Sequence, residues 1–238
     1  KYRTIILSDI HLGSIYSRAN DVIEFLKENK CEKLILNGDI IDGWALKMGS
    51  KWTEEHMKCV RKITKVSKDT EVIWVKGNHD DFLSDFIGFS IGNILIKDEI
   101  EHIGLNGKKY LVLHGDIFDI FITDMKWLAM LGSWAYDICL WLNKWYNKYR
   151  EWRGYEYFSL SKVIKDSVKL ATKYVGDFEN HMIKHAKTLG YDGIICGHIH
   201  KPEISEIDGL EYKNSGDWIE SKTALVEDLD GNWSIVYF

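Results

Sequence analysis

The chain has 238 residues, of which 45% are hydrophobic, and a formal net charge of −5. This length fits one domain, or one domain with a large insertion, and the apolar content excludes a disordered chain. The weak negative charge excludes a protein that binds nucleic acid over its whole surface. The four cysteines include no C-x-x-C pair and Lys1 leads directly into an apolar segment, so we expect a cytosolic protein with reduced thiols and no signal peptide.

The first half of the chain predicts strands that alternate with helices. The predicted strands are 3–7, 34–36 and 71–75, and the predicted helices are 20–29 and 53–65. Helix 20–29 is amphipathic, and Thr53 is a suitable N-cap for the second helix, with His56 expected on the helix surface. A strand, a helix and a second strand in this order indicate a parallel pair.

After residue 82 the pattern becomes rich in strands. Short strands are predicted at 93–96, 99–105, 109–113, 193–196, 204–207, 210–213, 223–227 and 234–238. Turns at Asn106-Gly107, Asp208-Gly209 and Asp230-Gly231 separate several of them. An α/β first half, a β-rich second half and flanking helices predict two sheets packed face to face.

Residues 117–190 predict a helical insertion between the strands. Its tryptophans recur at heptad spacing, and they are Trp127, Trp134, Trp141, Trp145 and Trp152. One interpretation is a helical hairpin that packs on itself and on the body, and the other is a lid whose inner face receives an apolar part of a substrate. The run 127–142 is too short for a transmembrane helix and contains Asp137. A basic stretch follows it, which either faces solvent or meets phosphates or anionic lipid headgroups.

Five stretches share one design, in which a short apolar run ends in His, Asp or Asn. They are Ser8-Asp9-Ile10-His11, Gly38-Asp39-Ile40-Ile41-Asp42, Gly77-Asn78-His79-Asp80, His114-Gly115-Asp116 and Gly197-His198-Ile199-His200. A buried strand that ends in Asp places an oxygen ligand at the mouth of a sheet. One such Asp can equally cap a helix or turn. The repetition, with five of the nine histidines in these stretches, favours a metal site.

The five stretches resemble the D-x-H, G-D-x-x-D, G-N-H-D, H-G-D and G-H-x-H motifs of calcineurin-like metallophosphoesterases, in the same order. The resemblance implies a four-layer α-β-β-α sandwich of the α/β class, a single domain over 1–238 with the insertion at about 117–190 as a lid. In finer detail, the chain resembles the UDP-2,3-diacylglucosamine diphosphatase group. Three stretches carry that likeness, and they are residues 38–44, 114–119 and 216–221.

The resemblance also implies a site with two divalent metal ions. The implied ligands are Asp9, His11, Asp39 and His200 for one ion, and Asp39, Asn78, His114 and His198 for the other, with Asp39 shared. Mixed oxygen and nitrogen ligands suit Mn²⁺, the ion expected from the family, and also Fe²⁺ or Zn²⁺. In the same loops, His79 beside Asn78 would stabilise the phosphoryl oxygens or protonate the leaving oxygen, and Asp80 would hold its ring. Asp42 and Asp116 would shape the loops.

The function implied is hydrolysis of the diphosphate of UDP-2,3-diacylglucosamine, in lipid A biosynthesis, to UMP and 2,3-diacylglucosamine 1-phosphate. That function implies a glycolipid-nucleotide substrate contacted by Asp119, Lys162 and Lys165. It also implies a cytoplasmic protein at the anionic surface of the inner membrane, with no nucleic-acid partner. The best-studied diphosphatases of the group have Arg in the place of His79, so a phosphoesterase for another phosphodiester, nucleotide or phospholipid is the alternative. A non-catalytic scaffold is disfavoured because the ligand set is complete.

Overall fold

The computed structural model describes the backbone of residues 1–121, 153 and 160–238, and the side chains of residues 1–118, 153 and 174–238. The chain divides into two compact units, residues 1–116 with 181–238 and residues 117–180. Both sheets and all the predicted metal ligands lie in the first unit. None of the helices in the described part is long and apolar enough to span a membrane.

Four helices and twelve strands form the described part of the chain. The helices are α1 Ala19–Glu28, α2 Gly43–Lys47, α3 Glu54–Val66 and α4 Leu160–Thr188. The strands are β1 Tyr2–Leu7, β2 Cys31–Asn37, β3 Glu71–Val75, β4 Ser90–Ile91, β5 Ile94–Lys97, β6 Glu99–Ile103, β7 Lys109–Leu113, β8 Gly193–Cys196, β9 Glu203–Ile207, β10 Leu210–Asn214, β11 Thr223–Glu227 and β12 Trp233–Tyr237. Two 3-10 turns, Asp81–Phe86 and Asp116–Phe121, complete the description.

The larger sheet has seven strands in the order β12-β11-β1-β2-β3-β5-β4. Strands β1, β2, β3 and β5 are parallel to one another, and the pair β1 and β2 is the parallel pair that the sequence predicts. One face of this sheet buries the apolar sides of α1 and α3, through residues such as Phe25 and Ile63. The parallel arrangement brings the carboxyl ends of three consecutive motif-bearing strands to one edge.

The smaller sheet has five strands in the order β6-β7-β8-β10-β9, with β7, β8 and β10 parallel. Its inner face packs on the larger sheet in a second apolar cluster. That cluster joins Ile6, Ile35 and Ile73 of the larger sheet to Val112 and Ile195 of the smaller one. The α/β class and the pair of facing sheets that the sequence predicts are therefore confirmed.

Differences from the prediction concern mainly element ends and one histidine. Most helix and strand ends move by one to three residues, and α2 and β4 were not predicted. His56 was expected on the surface of its helix, but it is buried, with its Nδ1 3.2 Å from the backbone N–H of Thr53. The expectation was wrong because His56 lies on the face of α3 that also buries Cys59 and Ile63. The five insertion tryptophans lie outside the described residues.

Candidate metal centre

The metal motifs meet where strands of both sheets end. Asp9 follows β1, Asp39 follows β2 and Asn78 follows β3, so the larger sheet supplies three of them. His114 follows β7 and His198 follows β8, so the smaller sheet supplies the others. The backbone N–H of Asp9 donates to the carbonyl of Gly38 at 3.0 Å, and that of Gly197 to the carbonyl of His114 at 3.0 Å. These bonds join neighbouring loops within each sheet, and the N–H of His198, which donates to Asp9 Oδ2, connects the two sheets at the site.

The loop backbone is held in an unusual conformation at these positions. Five of the seven predicted ligands have a positive φ, and they are Asp9 (54°), His11 (50°), Asp39 (54°), His198 (70°) and His200 (53°). Residues other than glycine adopt this left-handed region rarely, at a cost of about 1–3 kcal/mol each. Such a concentration of strained backbone marks a place where the surrounding structure dictates geometry for function.

The carboxylates of Asp39 and Asp9 are each oriented by one backbone N–H from another motif. The N–H of His79 donates to Asp39 Oδ1 at 2.8 Å, and the N–H of His198 donates to Asp9 Oδ2 at 3.1 Å. In both cases the second carboxylate oxygen remains for another partner. Asp39 Oδ2 lies 3.2 Å from His114 Nε2 and 3.9 Å from His11 Nε2, between the two groups of ligands.

Two histidines present the same ring nitrogen to the centre. His114 Nδ1 lies 2.8 Å from the carbonyl oxygen of Asn37, and His11 Nδ1 lies 3.4 Å from Asp42 Oδ2. Metal-binding histidines commonly donate their other N–H in this way, which fixes the tautomer and the ring orientation. Nε2 of both rings is thereby left free to act as a ligand.

The residues fit a pair of metal ions. Among the described side chains, four buried ligand atoms of these motifs make no hydrogen bond: Asp9 Oδ1, His11 Nε2, Asn78 Oδ1 and His114 Nε2. Buried polar atoms are normally satisfied, so four orphans that converge on one place indicate a missing partner. Ligand atoms of Asp9, His11 and His200 lie within 4.8 Å of one another, as do those of Asp39, His114 and His198. Each group contains three of the four residues predicted for one ion, and the assignment of ligands to ions stays a prediction.

The pKa values show a centre prepared for positive charge. Burial raises the pKa of the Asp9 carboxyl, but His114 and His200 outweigh it and hold that pKa well below its ordinary range. The pKa of Asp39 is lowered in the same way, by His114 against burial. Conversely, burial lowers the pKa of His200, but the charge of Asp9 outweighs burial and raises the pKa of His200 to about 9. Both carboxylates are therefore ionised at neutral pH, as metal ligands must be.

The His79 ring is held by Asp42 rather than by Asp80. His79 Nδ1 lies 2.9 Å from Asp42 Oδ1, and the Trp44 ring stacks on His79 with centroids 4.3 Å apart. The Asp80 carboxylate is fully buried and accepts bonds from the N–H groups of Ile40 and Ile41 and from Trp74 Nε1 instead. The predicted role of Asp80 was wrong because its carboxylate is turned into the core, where these three donors hold it.

His79 itself also approaches the metal ligands. Its Nε2 lies 4.0 Å from Asp39 Oδ2, and ligand atoms of His11, Asp39 and His79 lie within 4.8 Å of one another. Asp42 shapes the loop as expected, because its Oδ1 also caps α2 by accepting the N–H of Ala45 at 2.8 Å. No sequence signal distinguished Asp42 or Trp44 as partners of His79, since both contacts join separate loops.

Gly77 shows how closely the motifs approach. A Cβ atom at this position would lie 2.3 Å from Asp39 Oδ1 and 2.9 Å from the His114 ring. Those distances are far below van der Waals contact, so only glycine leaves room for the two ligands. The glycine before Asn78 is therefore required by the close packing of the centre.

Three predicted substrate residues cannot be placed beside this centre. Asp119 lies in the turn Asp116–Phe121, and Lys162 and Lys165 lie in α4, but their side chains are outside the described residues. Asp116 is the last residue of the His114-Gly115-Asp116 motif and is half-buried. These substrate contacts stay predictions.

Comparison with known proteins finds one matching family and several similar chains. A family model described as calcineurin-like phosphoesterase matches residues 2–202. A UDP-2,3-diacylglucosamine hydrolase of Vibrio atlanticus (strain LGP32) is 25% identical over 94% of this chain and 93% of the relative. The protein of the same name from Vibrio parahaemolyticus is 24% identical over 96% and 95% of the two chains. A solved archaeal phosphodiesterase is 14% identical over 99% of both chains, with a TM-score of 0.47.

The family model covers the residues from β1 through the last metal motif, and the structure assembles the side chains of those motifs into one centre. The chain belongs to the calcineurin-like phosphoesterase family and is a metal-dependent phosphoester hydrolase.

Proposed function

We propose that this chain hydrolyses the diphosphate of UDP-2,3-diacylglucosamine to UMP and 2,3-diacylglucosamine 1-phosphate, with two divalent metal ions. The observation that carries the proposal is the nearly full-length similarity to relatives named for this substrate, at 23–25% identity. The intact set of metal ligands supports the hydrolytic chemistry. A role as a non-catalytic scaffold would leave four buried ligand atoms without a purpose.

Seven side chains would hold the ions in this proposal. They are Asp9, His11, Asp39 and His200 for one ion, and Asp39, Asn78, His114 and His198 for the other. Manganese is the proposed ion, because mixed carboxylate, amide and imidazole ligands suit it, and Fe²⁺ or Zn²⁺ fit the same ligands. When bound, such ions polarise a phosphoryl group and activate water for attack on phosphorus.

His79 would supply the proton that the leaving oxygen requires. Burial lowers the pKa of His79, but its bond to Asp42 and the charge of Asp39 outweigh burial and raise it. The raised pKa favours the doubly protonated ring, in which Nδ1–H is donated to Asp42 and Nε2 faces the site, 4.0 Å from Asp39 Oδ2. A positioned imidazolium of this kind can protonate a leaving phosphate oxygen or stabilise the phosphoryl oxygens.

The substrate's location follows from its chemistry. A diacylated sugar nucleotide keeps its acyl chains in a lipid phase, so the enzyme would work on the cytoplasmic side as a peripheral protein at the anionic surface of the inner membrane. Lys162, Lys165 and Asp119 would contact the polar part of the substrate, and the insertion at about 117–190 would act as the lid that takes the acyl chains. Nucleic acid is not among the proposed partners.

His79 favours one alternative substrate class. Arg stands at this position in the best-studied diphosphatases of the group, and an imidazolium binds a phosphate with fewer donors than a guanidinium. The alternative is therefore a metallophosphoesterase for another phosphodiester, nucleotide or phospholipid, with the same centre and the same ions.

The test compares kcat/KM of the metal-loaded enzyme for UDP-2,3-diacylglucosamine, for the deacylated UDP-sugar and for a chromogenic phosphodiester, with products identified by mass. We expect UMP and the acylated sugar 1-phosphate, and a strong preference for acyl chains, since each buried CH₂ contributes about 0.8 kcal/mol. Equal values for all three substrates would favour the alternative.

The proposed contacts of the insertion are tested by charge reversal. Lys162→Glu with Lys165→Glu should weaken binding of the diphosphate substrate and leave metal content unchanged. Lys184→Glu is the matched control, because Lys184 is an exposed lysine of the same helix α4. Equal loss of affinity in both variants would mean a general charge effect and no specific contact.

A further inference from the structure

Residues 214–221 lie beyond the part matched by the family model and yet reach the metal centre. They begin at the last residue of β10 and end before β11, and contain Asn214, Ser215 and Asp217, all of them fully buried. Buried polar side chains are costly unless each has a purpose and a partner. Since this segment carries no metal ligand, the reason for its polarity must lie in what it contacts.

Asp217 folds the segment into a rigid turn. Its Oδ1 accepts the N–H groups of Ile219 at 2.8 Å and Glu220 at 2.6 Å, and its Oδ2 accepts the hydroxyl of Ser221 at 2.6 Å. The turn is anchored in the core by Trp218, whose fully buried ring packs edge-on against Phe25 with centroids 5.2 Å apart. The backbone of residue 218 is thereby held in one place.

That backbone contacts the first metal ligand directly. The N–H of Trp218 donates to the carbonyl oxygen of Asp9 at 3.1 Å. On the other side, the N–H of Asp9 donates to the carbonyl of Gly38. The backbone N–H and the backbone carbonyl of Asp9 are therefore both hydrogen-bonded, and its φ is held at 54°. Its peptide geometry is set by partners outside its own loop.

A buried pair of hydroxyl groups joins the segment to the residue before Asp9. Ser8 Oγ lies 2.7 Å from Ser215 Oγ and 2.9 Å from the carbonyl oxygen of Gly216. Ser215 Oγ in turn donates to the carbonyl of Cys196 at 3.1 Å, at the end of the strand that carries His198. The hydroxyl pair thus connects the first motif with the last one.

The last motif closes against the same pair. A Cβ on Gly197 would lie 2.6 Å from Ser8 Oγ and 2.7 Å from Asp9 Oδ2, so the glycine backbone presses directly on both. Asn214 Nδ2 holds this glycine by donating to its carbonyl oxygen at 2.8 Å. The N–H of His198 then reaches Asp9 Oδ2, which leaves Oδ1 turned toward His11 and His200.

From these contacts we infer that residues 214–221 are a positioning element for the metal held by Asp9, His11 and His200, with the Ser8–Ser215 hydroxyl pair as its joint. The inference rests on the proposed metal site and adds residues that touch neither metal nor substrate. Without the hydroxyl pair, Ser8 and the loop that contains Gly197 can shift. The orientation of the Asp9 carboxylate, and with it the position of Oδ1, is then no longer fixed. Partners of this outer kind typically contribute about 10–100-fold to metal affinity.

The test is calorimetric titration of the metal-stripped full-length protein with Mn²⁺, for the wild type, Ser215→Ala, Ser8→Ala and the double variant. We expect Ser215→Ala to weaken one of the two binding steps by about 10–100-fold and to leave the other unchanged. Ser8→Ala breaks the same bond from its other side and serves if Ser215→Ala does not fold. The double variant should be no weaker than the more affected single one, because all three lose one joint.

Ser67→Ala is the matched control. Ser67 is also buried and donates its hydroxyl to a backbone carbonyl, that of Thr64 at 2.9 Å, but at the C-terminal end of α3. The Ser67→Ala variant should bind both ions as the wild type does. Its metal-free form should have a melting temperature similar to that of metal-free Ser215→Ala. Wild-type affinity for both ions in the serine variants, or equal weakening in Ser67→Ala, would overturn the inference. A wild type that binds no divalent ion would overturn the proposed function itself, and the inference with it.

Discussion

At the residue scale, the neighbouring residues Asn78 and His79 have different surroundings, which indicate different roles. Asn78 Oδ1 is a buried orphan, whereas His79 has one nitrogen bonded to Asp42 and its ring covered by Trp44. We therefore propose Asn78 as a ligand and His79 as an acid or a stabiliser of phosphoryl oxygens. The proximity of His79 Nε2 to Asp39 Oδ2 makes this division worth a direct test.

His79→Ala should separate the two roles. If His79 transfers a proton, turnover falls by about 10²–10⁴-fold and the protein still binds two ions. Metal content by elemental analysis and turnover of a phosphodiester are measured on the same sample. Loss of one ion in this variant would make His79 a ligand and contradict the assignment.

Asp42 should matter through His79. In Asp42→Asn the ring loses its anionic partner, so the raised pKa of His79 falls toward its ordinary value and the ring is less often protonated. Turnover should fall by about 10–100-fold, and the alkaline limb of its pH profile should move to lower pH. The comparison is the pH profile of the wild type, and an unshifted profile in Asp42→Asn would remove Asp42 from the mechanism.

At the element scale, the position of the site could be predicted from the strand ends. The conformation of the loops that follow the strands could not. Asp9, Asp39 and Asn78 each follow an apolar run, and the parallel strands of the larger sheet bring such ends to one edge, so their meeting could be read from the sequence. The positive φ of Asp9 and Asp39 could not, because these residues are not glycine and the conformation is imposed by bonds from distant loops. The partner of His79 was missed for the same reason.

The burial of His56 is indicated by helical spacing in the sequence. His56, Cys59 and Ile63 are spaced by three and four residues, which places them on one face of a helix. That face is buried against the core, and the histidine also closes a capping box with Thr53. Periodicity therefore predicts its burial, even though histidine is only intermediate among residue types in how often it is buried.

A second polar cluster supports the opposite ends of the strands. The fully buried Glu227 of β11 accepts bonds from Arg3 at 2.7 Å and from His102 at 3.1 Å, and from the N–H of Leu105 at 2.8 Å. It thereby joins both sheets at the ends away from the metals. Although burial raises the pKa of Glu227, the His102, Leu105 and Arg3 bonds outweigh it and lower the pKa from 4.5 to about 2.

Glu227→Gln should reduce the pH dependence of stability. Because the folded pKa lies below the unfolded one, the stability from the carboxylate is fully present above about 4.5 and is lost as the pH falls through about 2. The contribution is roughly 3 kcal/mol at neutral pH. Urea unfolding at pH 7 and pH 3 measures it, with Glu32→Gln, at an exposed ion pair, as control. Equal acid sensitivity in all three proteins would refute the role of Glu227.

At the scale of the whole molecule, the metal centre belongs to one compact unit built from both ends of the chain. Residues 1–116 supply four motifs and residues 181–238 supply the fifth, together with the segment that holds Asp9. The two-sheet core was predictable because its strands are apolar and its turns are marked by glycine. The second unit, residues 117–180, is where substrate selection is proposed, and the sequence there allows both a packed hairpin and a lid.

The central claim is that Asp39 is shared by two ions that the hydrolysis requires. The most direct measurement is a titration of metal-stripped wild type and Asp39→Ala with Mn²⁺, following bound ions and phosphodiester hydrolysis together. In the wild type we expect two ions and an activity that depends on the second one. Asp39→Ala should lose the shared ligand, bind ions weakly and show no measurable turnover. Two tightly bound ions in Asp39→Ala, with turnover within about tenfold of the wild type, would contradict the account.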